Sequence, residues 1–594
     1  MDAEGKLRSA VFLAVALALA GPAVSAGTAV LAADDAAAAD SPAGDGAAIE
    51  EADPITRRVL KRAETVFGLQ FTDPERELML DGLNEQLQSY QAIRTFSLAN
   101  GIAPAIRFDP IPPGGRVDAT AGESVRSRIT APPVPADLEA IAFLPVTHLA
   151  ELIRTRAVTS VELTRMYLDR IRRLDPHLKA VVTLTEDLAL KQAARADREI
   201  AAGRYRGPLH GIPWGAKDLL STRGIPTTWG AMPFKGQMID EDATVVQRLE
   251  EAGAVLVAKL TLGALAWGDV WFGGRTNNPW NLEQGSSGSS AGPASATAAG
   301  LVGFSIGSET WGSIISPSTR CGTTGLRPTF GRVSRHGAMA LSWTMDKLGP
   351  ICRSVEDCAL VFEAIHGPDG KDATVIETPF RWNADLDIRT LRVGYVKSLF
   401  EAAPGEDDDA EMRANDLRTL EALRGLGIEL VPIELPDLPV DALSLILSAE
   451  AAAAFNDLTL SGRDDLLVRQ VEDAWPNVLR RARLIPAVEY IQANRIRTVV
   501  MSRMAEILRD IDVYVAPAFG GSNLLLTNLT GHPSVVLPNG FREDGTPTSI
   551  TFMGRLFGED KLLALAKAYQ DATEFHLKHP PLDEMIAESA AKGE

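Results

Sequence analysis

The form of its apolar segments limits most strongly what this chain can fold into. AVLVAKL (254–260), LRVGYV (391–396), IELVPIEL (428–435), VYVAPA (513–518) and SVVLP (534–538) are short, valine-rich and largely apolar. Runs of that length and composition read as strands of a largely buried sheet. Between them lie stretches with apolar residues three and four apart, the spacing of a helix with one buried face. Thr159–Glu162 fits a capping box, and Leu163, Met166, Tyr167, Ile171 and Leu174 mark the buried face of the helix that follows. Asp175-Pro176 is predicted to stop it. Further helices are predicted over 187–202 and 243–252, after a second capping box at Ser354–Asp357, and in KLLALAKAYQDATEFHL near the C-terminus. Helices alternating with short buried strands imply an α/β architecture.

The chain has 594 residues, 45% of them hydrophobic and 23% charged, enough to bury one large core with additions. Its net charge of −19 argues against a nucleic-acid groove or a polybasic membrane patch. Three cysteines (Cys321, Cys352, Cys358) match no zinc spacing and are read as buried thiols, with a Cys352–Cys358 bridge left open. No metal or cofactor is implied.

The N-terminus reads as an export signal. Lys6 and Arg8 precede the apolar run 10–26, which ends on the small-residue pattern Val24-Ser25-Ala26. A run of that length is short for a bilayer span, which needs about 20 apolar residues. The expected organisation is a signal peptide at 1–26 and a flexible Ala/Asp-rich tether at 27–50. A helical extension with a Pro/Gly linker follows at 51–134, then a main domain at 135–590. Within that domain a helical section at 440–510, which includes Trp475, is expected to cover the substrate. The protein is thus expected to be exported, periplasmic or secreted, with no stable membrane insertion after signal cleavage. Its oligomeric state is open.

The chemistry concentrates in EQGSSGSSAGPASATAAGLVGFSIGSETWGSIISPSTRCGTTGLRPT (283–329), where two Ser/Gly clusters flank a small-residue helix and a short apolar strand. Gly288-Ser289-Ser290-Ala291-Gly292 matches the G-x-S-x-G nucleophile elbow, which must follow a buried strand and needs a later acid and histidine. NPWNLEQ, just upstream, does not read as a strand. None of His336, His366, His532, His576 and His579 sits in a suggestive setting, so that triad is weak. A lysine serves better. Lys217 ends the apolar segment GIPWGA, where burial would lower its pKa and make it a base for a serine hydroxyl.

LHGIPWGAKD, NPWNLEQGSSGSSAGPASATAAG, GSETWGSIISPSTRCGTTGLRPTFGRVS and TNLTGHPSVVLPNGFREDGTPTSITFMG together resemble the amidase signature family, from about Leu144 to Gln570. The resemblance implies a mixed β-sheet sandwiched between α-helices, here with an N-terminal helical extension. It also implies hydrolysis of carboxylic amides, small or peptidic, by a Ser–cis-Ser–Lys triad without a cofactor. Carried over by position, Ser313 is the nucleophile, Ser289 the bridging serine after a cis Gly288–Ser289 peptide, and Lys217 the base. Ser290 would support the relay. Backbone N–H groups of Thr310, Trp311, Gly312 and Ser313 would form the oxyanion hole. The 24-residue separation of Ser289 and Ser313 agrees with the family pattern and rejects Ser286. Where GTDTGGSIR is usual, this chain has GSETWGSII, so Glu309, Trp311 and Ile315 depart from it. Trp311 is placed to narrow the acyl pocket.

Two other functions compete. The amidase component of a tRNA-dependent amidotransferase would hydrolyse glutamine with partners in the cytoplasm, which the signal and the extension oppose. An inert amidase-like binding protein is opposed by the intact set Lys217, Ser289 and Ser313.

Overall fold

The computed structural model describes residues 54–592 except 96, 97, 113, 116, 118–122 and 403–408. The signal and tether expected over 1–50 lie outside the described residues. The chain divides after Ile93 into two units. In the first, α1 (Arg57–Phe67) begins at Thr56, whose hydroxyl accepts from Val59 N, and ends at Gly68 in the left-handed region. It is joined to α2 (Asp73–Arg94) by the ion pair of Glu64 and Arg76, both buried.

The second unit is built on one eleven-stranded mixed sheet. In chain order its strands are β1 (Val181–Leu184), β2 (Pro213–Lys217), β3 (Val255–Leu260), β4 (Phe304–Glu309), β5 (Thr324–Arg327) and β6 (Lys347–Cys352). They continue with β7 (Val393–Val396), β8 (Leu430–Ile433), β9 (Val513–Pro517), β10 (Ser534–Phe541) and β11 (Pro547–Gly554). The spatial order is β1-β3-β2-β4-β6-β5-β10-β11-β9-β7-β8. β2 runs parallel to both β3 and β4, and β7 runs parallel to β8 and β9; the remaining neighbours are antiparallel. β2, β3, β4, β6 and β11 are buried along their whole length, as strands covered by helices on both faces must be.

Every strand expected from the apolar runs is present, and VVTL, KLGPIC, TGLR and PTSITFMG add β1, β6, β5 and β11. Three local expectations change. First, α3 (Ser160–Leu178), which begins with the full capping box of Thr159 and Glu162, runs through Pro176 and ends at Lys179 with φ 52°. The proline lies in the last turn, where its missing N–H leaves only one helical bond unmade. The Asp175 carboxylate meanwhile accepts from Ala180 N (2.7 Å) and Val181 N (3.1 Å) beyond the helix end. Second, the Ser354 hydroxyl accepts from Asp357 N at 3.2 Å, but the Asp357 carboxylate takes Thr147 N instead of closing a box. Third, part of NPWNLEQ is extended: Asn281–Gly285 pairs with Asn277–Asn278 in a small half-exposed ribbon, outside the main sheet. Cys321, Cys352 and Cys358 are buried free thiols.

Candidate active site

Lys217 is the last residue of β2, between β3 and β4 in the middle of one half of the sheet. Glycine at 215 lets the strands close, since a Cβ there would lie 2.3 Å from a Leu260 methyl. The Lys217 side chain is wholly buried. Its Nζ lies 2.9 Å from Ser289 Oγ, 3.0 Å from Ser290 Oγ and 2.8 Å from Ser308 Oγ. Among the described residues all of its hydrogen-bond partners are serines, Ser308 O at 3.4 Å included. Burial without a touching carboxylate pushes the amine well below the ordinary lysine pKa, and the charges of Asp346 and Glu309 offset this only in part.

The serines arrive from two directions. Ser289 and Ser290 stand immediately before α4 (Ala291–Ala298), a helix so closely packed that all eight of its residues are buried. The Gly288–Ser289 peptide is cis. Position 288 admits only glycine, because a Cβ there would fall 1.8 Å from the Gly268 carbonyl oxygen. Ser308 comes from β4, and its N–H donates to Ser290 Oγ (3.2 Å), which in turn donates to Ser308 O (3.1 Å). Ser308 is a member of the site that sequence reasoning misses. The one signal for it is its place on the strand that leads into the second Ser/Gly cluster.

Ser313 lies between β4 and α5 (Ile315–Cys321). Its carbonyl accepts from Ser290 N at 3.1 Å, which ties the two clusters together through the backbone. Its hydroxyl has no hydrogen-bond partner among the described residues, Ser289 included, and the residue is 8% exposed. The loop before it is held from below. Glu309 Oε2 accepts from Ile314 N (2.8 Å) and Ile315 N (3.0 Å), and Oε1 receives Arg327 (2.7 Å) and Asn528 (2.8 Å). Burial by itself would raise the Glu309 carboxyl, but Arg327 and these donors outweigh it and hold the group below its usual range. Thr310 Oγ1 donates to Asp346 Oδ1 at 2.6 Å, and Asp346 Oδ2 accepts from Leu341 N and Ser342 N. With φ +82° at Gly312, the loop turns so that no protein acceptor among the described residues takes the N–H of Thr310, Trp311, Gly312 or Ser313. Such a row of free donors beside a hydroxyl is suited to an oxyanion.

The wall against Gly288 is made by residues 263–268, in which Leu265 and Ala266 both have positive φ. Trp475, on α6 (Trp475–Ala482), donates from Nε1 to Leu265 O at 3.0 Å and meets Trp267 edge-on at 5.2 Å. No histidine among the described residues hydrogen-bonds to Ser289 or Ser313; His532, for example, is turned to Thr530. No group of acidic, histidine or cysteine side chains among the described residues could hold a metal ion, and no helix among them is long and apolar enough to cross a membrane.

A profile of the amidase family matches residues 162–525. The A subunit of glutamyl-tRNA(Gln) amidotransferase from Marinomonas sp. strain MWYL1 is 33% identical over 483 residues, covering 74% of this chain and 98% of that protein. Its counterpart from Roseiflexus castenholzii is 36% identical over 486 residues, with the same coverage of 74% and 98%. The native peptide amidase of Stenotrophomonas maltophilia superposes with a TM-score of 0.65 at 31% identity, over 73% of this chain and 98% of that one. The chain belongs to the amidase signature family of enzymes, whose members act on carboxylic amides.

Proposed function

We propose that the protein hydrolyses carboxylic amides, with Ser313 as nucleophile, Ser289 as proton bridge and Lys217 as base. The observation that carries this reading is a wholly buried lysine amine surrounded by serine hydroxyls and, among the described residues, touching no carboxylate. A neutral amine has two N–H donors and one lone pair, and three serine hydroxyls match that set. Ser289 can therefore give its proton to Nζ while taking the proton of Ser313. As Ser313 Oγ bonds to the carbonyl carbon, the oxygen charge that develops is met by the free N–H groups of residues 310–313, an arrangement in which one donor is worth about 100- to 1000-fold in rate. Collapse breaks the C–N bond, and the ammonium of Lys217 returns its proton through Ser289 to the leaving nitrogen. Ammonia or an amine departs. Water then adds to the Ser313 ester by the same relay and releases the acid. Ser290 and Ser308 hold the amine in place.

The test is product release from a panel of peptide amides, aliphatic amides and glutamine. Amide hydrolysis that disappears in Ser313→Ala supports the reading, and hydrolysis that persists in the variant refutes it. Identity of 33–36% to amidotransferase A subunits supports a second reading, glutamine hydrolysis within a complex. Turnover of glutamine alone, to the exclusion of other amides, would favour it. We also propose export, supported by the apolar run at 10–26 behind Lys6 and Arg8. Recovery of the expressed protein solely in the cytoplasmic fraction, with its N-terminus uncut, would reject that.

A further inference from the structure

We infer that Asp346 is a positioning residue of the site, which ties the row of N–H donors in place through Thr310 and keeps a negative charge in the neighbourhood of Lys217. This inference rests on the amide-hydrolase reading above. Of the side chains on the donor row, only that of Thr310 is hydrogen-bonded among the described residues. Gly312 has none, the Ser313 hydroxyl has no partner there and the Trp311 indole is 44% exposed. The partner of Thr310 Oγ1 is Asp346 Oδ1, at 2.6 Å. Glu309 holds the far end of the loop at Ile314 and Ile315, and Asp346 holds the near end, where the first donor sits.

The sheet fixes where this carboxylate stands. Asp346 immediately precedes β6, whose first residue, Lys347, is paired in register with Glu309 at the end of β4. Its Oδ2 accepts from Leu341 N (2.8 Å) and Ser342 N (3.0 Å), so the turn before β6 and the donor loop meet on one carboxyl group. Three donors converge on two oxygens, a set that suits an ionised carboxylate; a neutral acid would have to reverse the bond from Thr310. Burial raises this carboxyl above its usual range, and the Thr310 hydroxyl, the two N–H groups and the charge of Arg335 offset part of that rise.

The other charged groups around Lys217 are already matched. Asp218, the next residue along the chain, gives Oδ1 to Lys259 on β3 at 2.9 Å, and its Oδ2 accepts from Thr228 N at 2.9 Å. Glu309 on β4 is paired with Arg327 at 2.7 Å. Lys347 on β6 is held well below the ordinary lysine value by burial, and its Nζ donates to Met345 O. Arg335, which acts on Asp346 from a distance, is itself paired with Asp372 at 2.9 Å. Asp346 forms no ion pair among the described residues, and of the two carboxylates whose charge favours protonated Lys217 its effect is the larger, ahead of Glu309. A negative charge there stabilises the ammonium that Lys217 becomes on taking the proton of Ser289. It also raises the pH at which the resting amine is protonated, so it strengthens the base and sets the acid limit of the reaction.

The experiment follows the rate of fluorophosphonate labelling at Ser313 across the pH range about 5 to about 9, on the full chain, for the wild type and three variants. Asparagine can turn its Oδ1 to the two N–H groups and its Nδ2 to Thr310 Oγ1, so Asp346→Asn keeps the tie and removes the charge. The acid limb of its profile is expected to move to lower pH by at least about half a unit. Thr310→Val keeps the charge and cuts the tie. It is expected to lower the rate at every pH by about tenfold, less than the roughly 100-fold cost of losing a donor outright, with the limb within about 0.3 unit of the wild type. Thr310→Ser, which restores the hydroxyl, is expected to label within about threefold of the wild type. An acid limb that stays or moves to higher pH in Asp346→Asn overturns the inference, and so does wild-type labelling in Thr310→Val; in both cases labelled Ser313 leaves the hydrolase reading standing. Where Asp346→Asn does not fold, the two Thr310 variants decide. If wild-type Ser313 does not label, the inference falls together with the hydrolase reading.

Discussion

Lys217 and Asp416 are buried ionisable groups shifted in opposite directions, and each gives a stability profile with its own sign. Lys217 holds its amine below the ordinary 10.5 by burial, so between the folded and unfolded values the unfolded chain binds the extra proton. Stability contributed by this residue therefore rises as pH climbs towards 10.5 and is lowest at neutral and acid pH. Lys217→Met removes that slope. In urea titrations, the stability of the Met variant relative to the wild type is expected to be higher at pH 7 than at pH 10. A constant difference would mean that the amine is charged in the folded protein. Asp416, 5% exposed and accepting from Asn539 Nδ2 at 2.8 Å, is raised by burial from 3.8 to about 7. Here the folded state binds the extra proton. Stability falls as pH rises from about 4 to about 7, by an amount on the order of 4 kcal/mol at most. Asp416→Asn should flatten this window, gaining stability at pH 8 relative to pH 4 in the same titration.

The elements that present the site owe their position to Glu309 as much as to the serines. Its carboxylate takes both N–H groups at the start of the helix that follows Ser313, and Arg327 is wholly buried against it. Glu309→Gln keeps an acceptor but leaves the Arg327 charge without its counter-ion. The expected loss is about 3–5 kcal/mol of unfolding free energy, read by urea denaturation, together with slower reaction at Ser313. A loss below about 1 kcal/mol would show that the pair does not anchor the loop. The same elements mark how far the sequence can be read. Capped helices and valine-rich strands are legible because local pattern and composition determine each, and the serine clusters stand out by composition, whereas the resemblance to the amidase signature family is what joins Lys217 to Ser289 and Ser313. β6 and β5 are not legible. KLGPIC carries glycine and proline inside a buried strand, and only pairing with β4 and β5 on either side makes it one. Pro176 misleads in the opposite way, since a carboxylate one residue earlier caps the chain where the helix would otherwise fall open. Ser308 escapes because a serine on a strand has no local signature, and only the meeting of β2 with β4 gives it the lysine to hold.

Taken whole, the second unit brings together three stretches far apart in sequence: the end of β2, the turn before α4 and the loop after β4. The sheet fixes the first and third by direct parallel pairing, and the Ser290–Ser313 backbone bond fixes the second against the third. Chain-wide charge says nothing about this arrangement, which lies in a buried neighbourhood where an uncompensated amine stands out. The helical section around Trp475 touches the wall against Gly288, through a hydrogen bond to a loop with two non-glycine residues at positive φ. Together these features support the proposed reading, in which Ser313 is the nucleophile and the buried Lys217 its base through Ser289. The most direct measurement is covalent labelling by a fluorophosphonate at neutral pH, with the modified residue located by mass spectrometry. The predicted result is a single adduct on Ser313, with a labelling rate that falls on acidification and drops at least about 100-fold in Lys217→Ala. An adduct elsewhere, or undiminished labelling of Ser313 without the lysine, would contradict it.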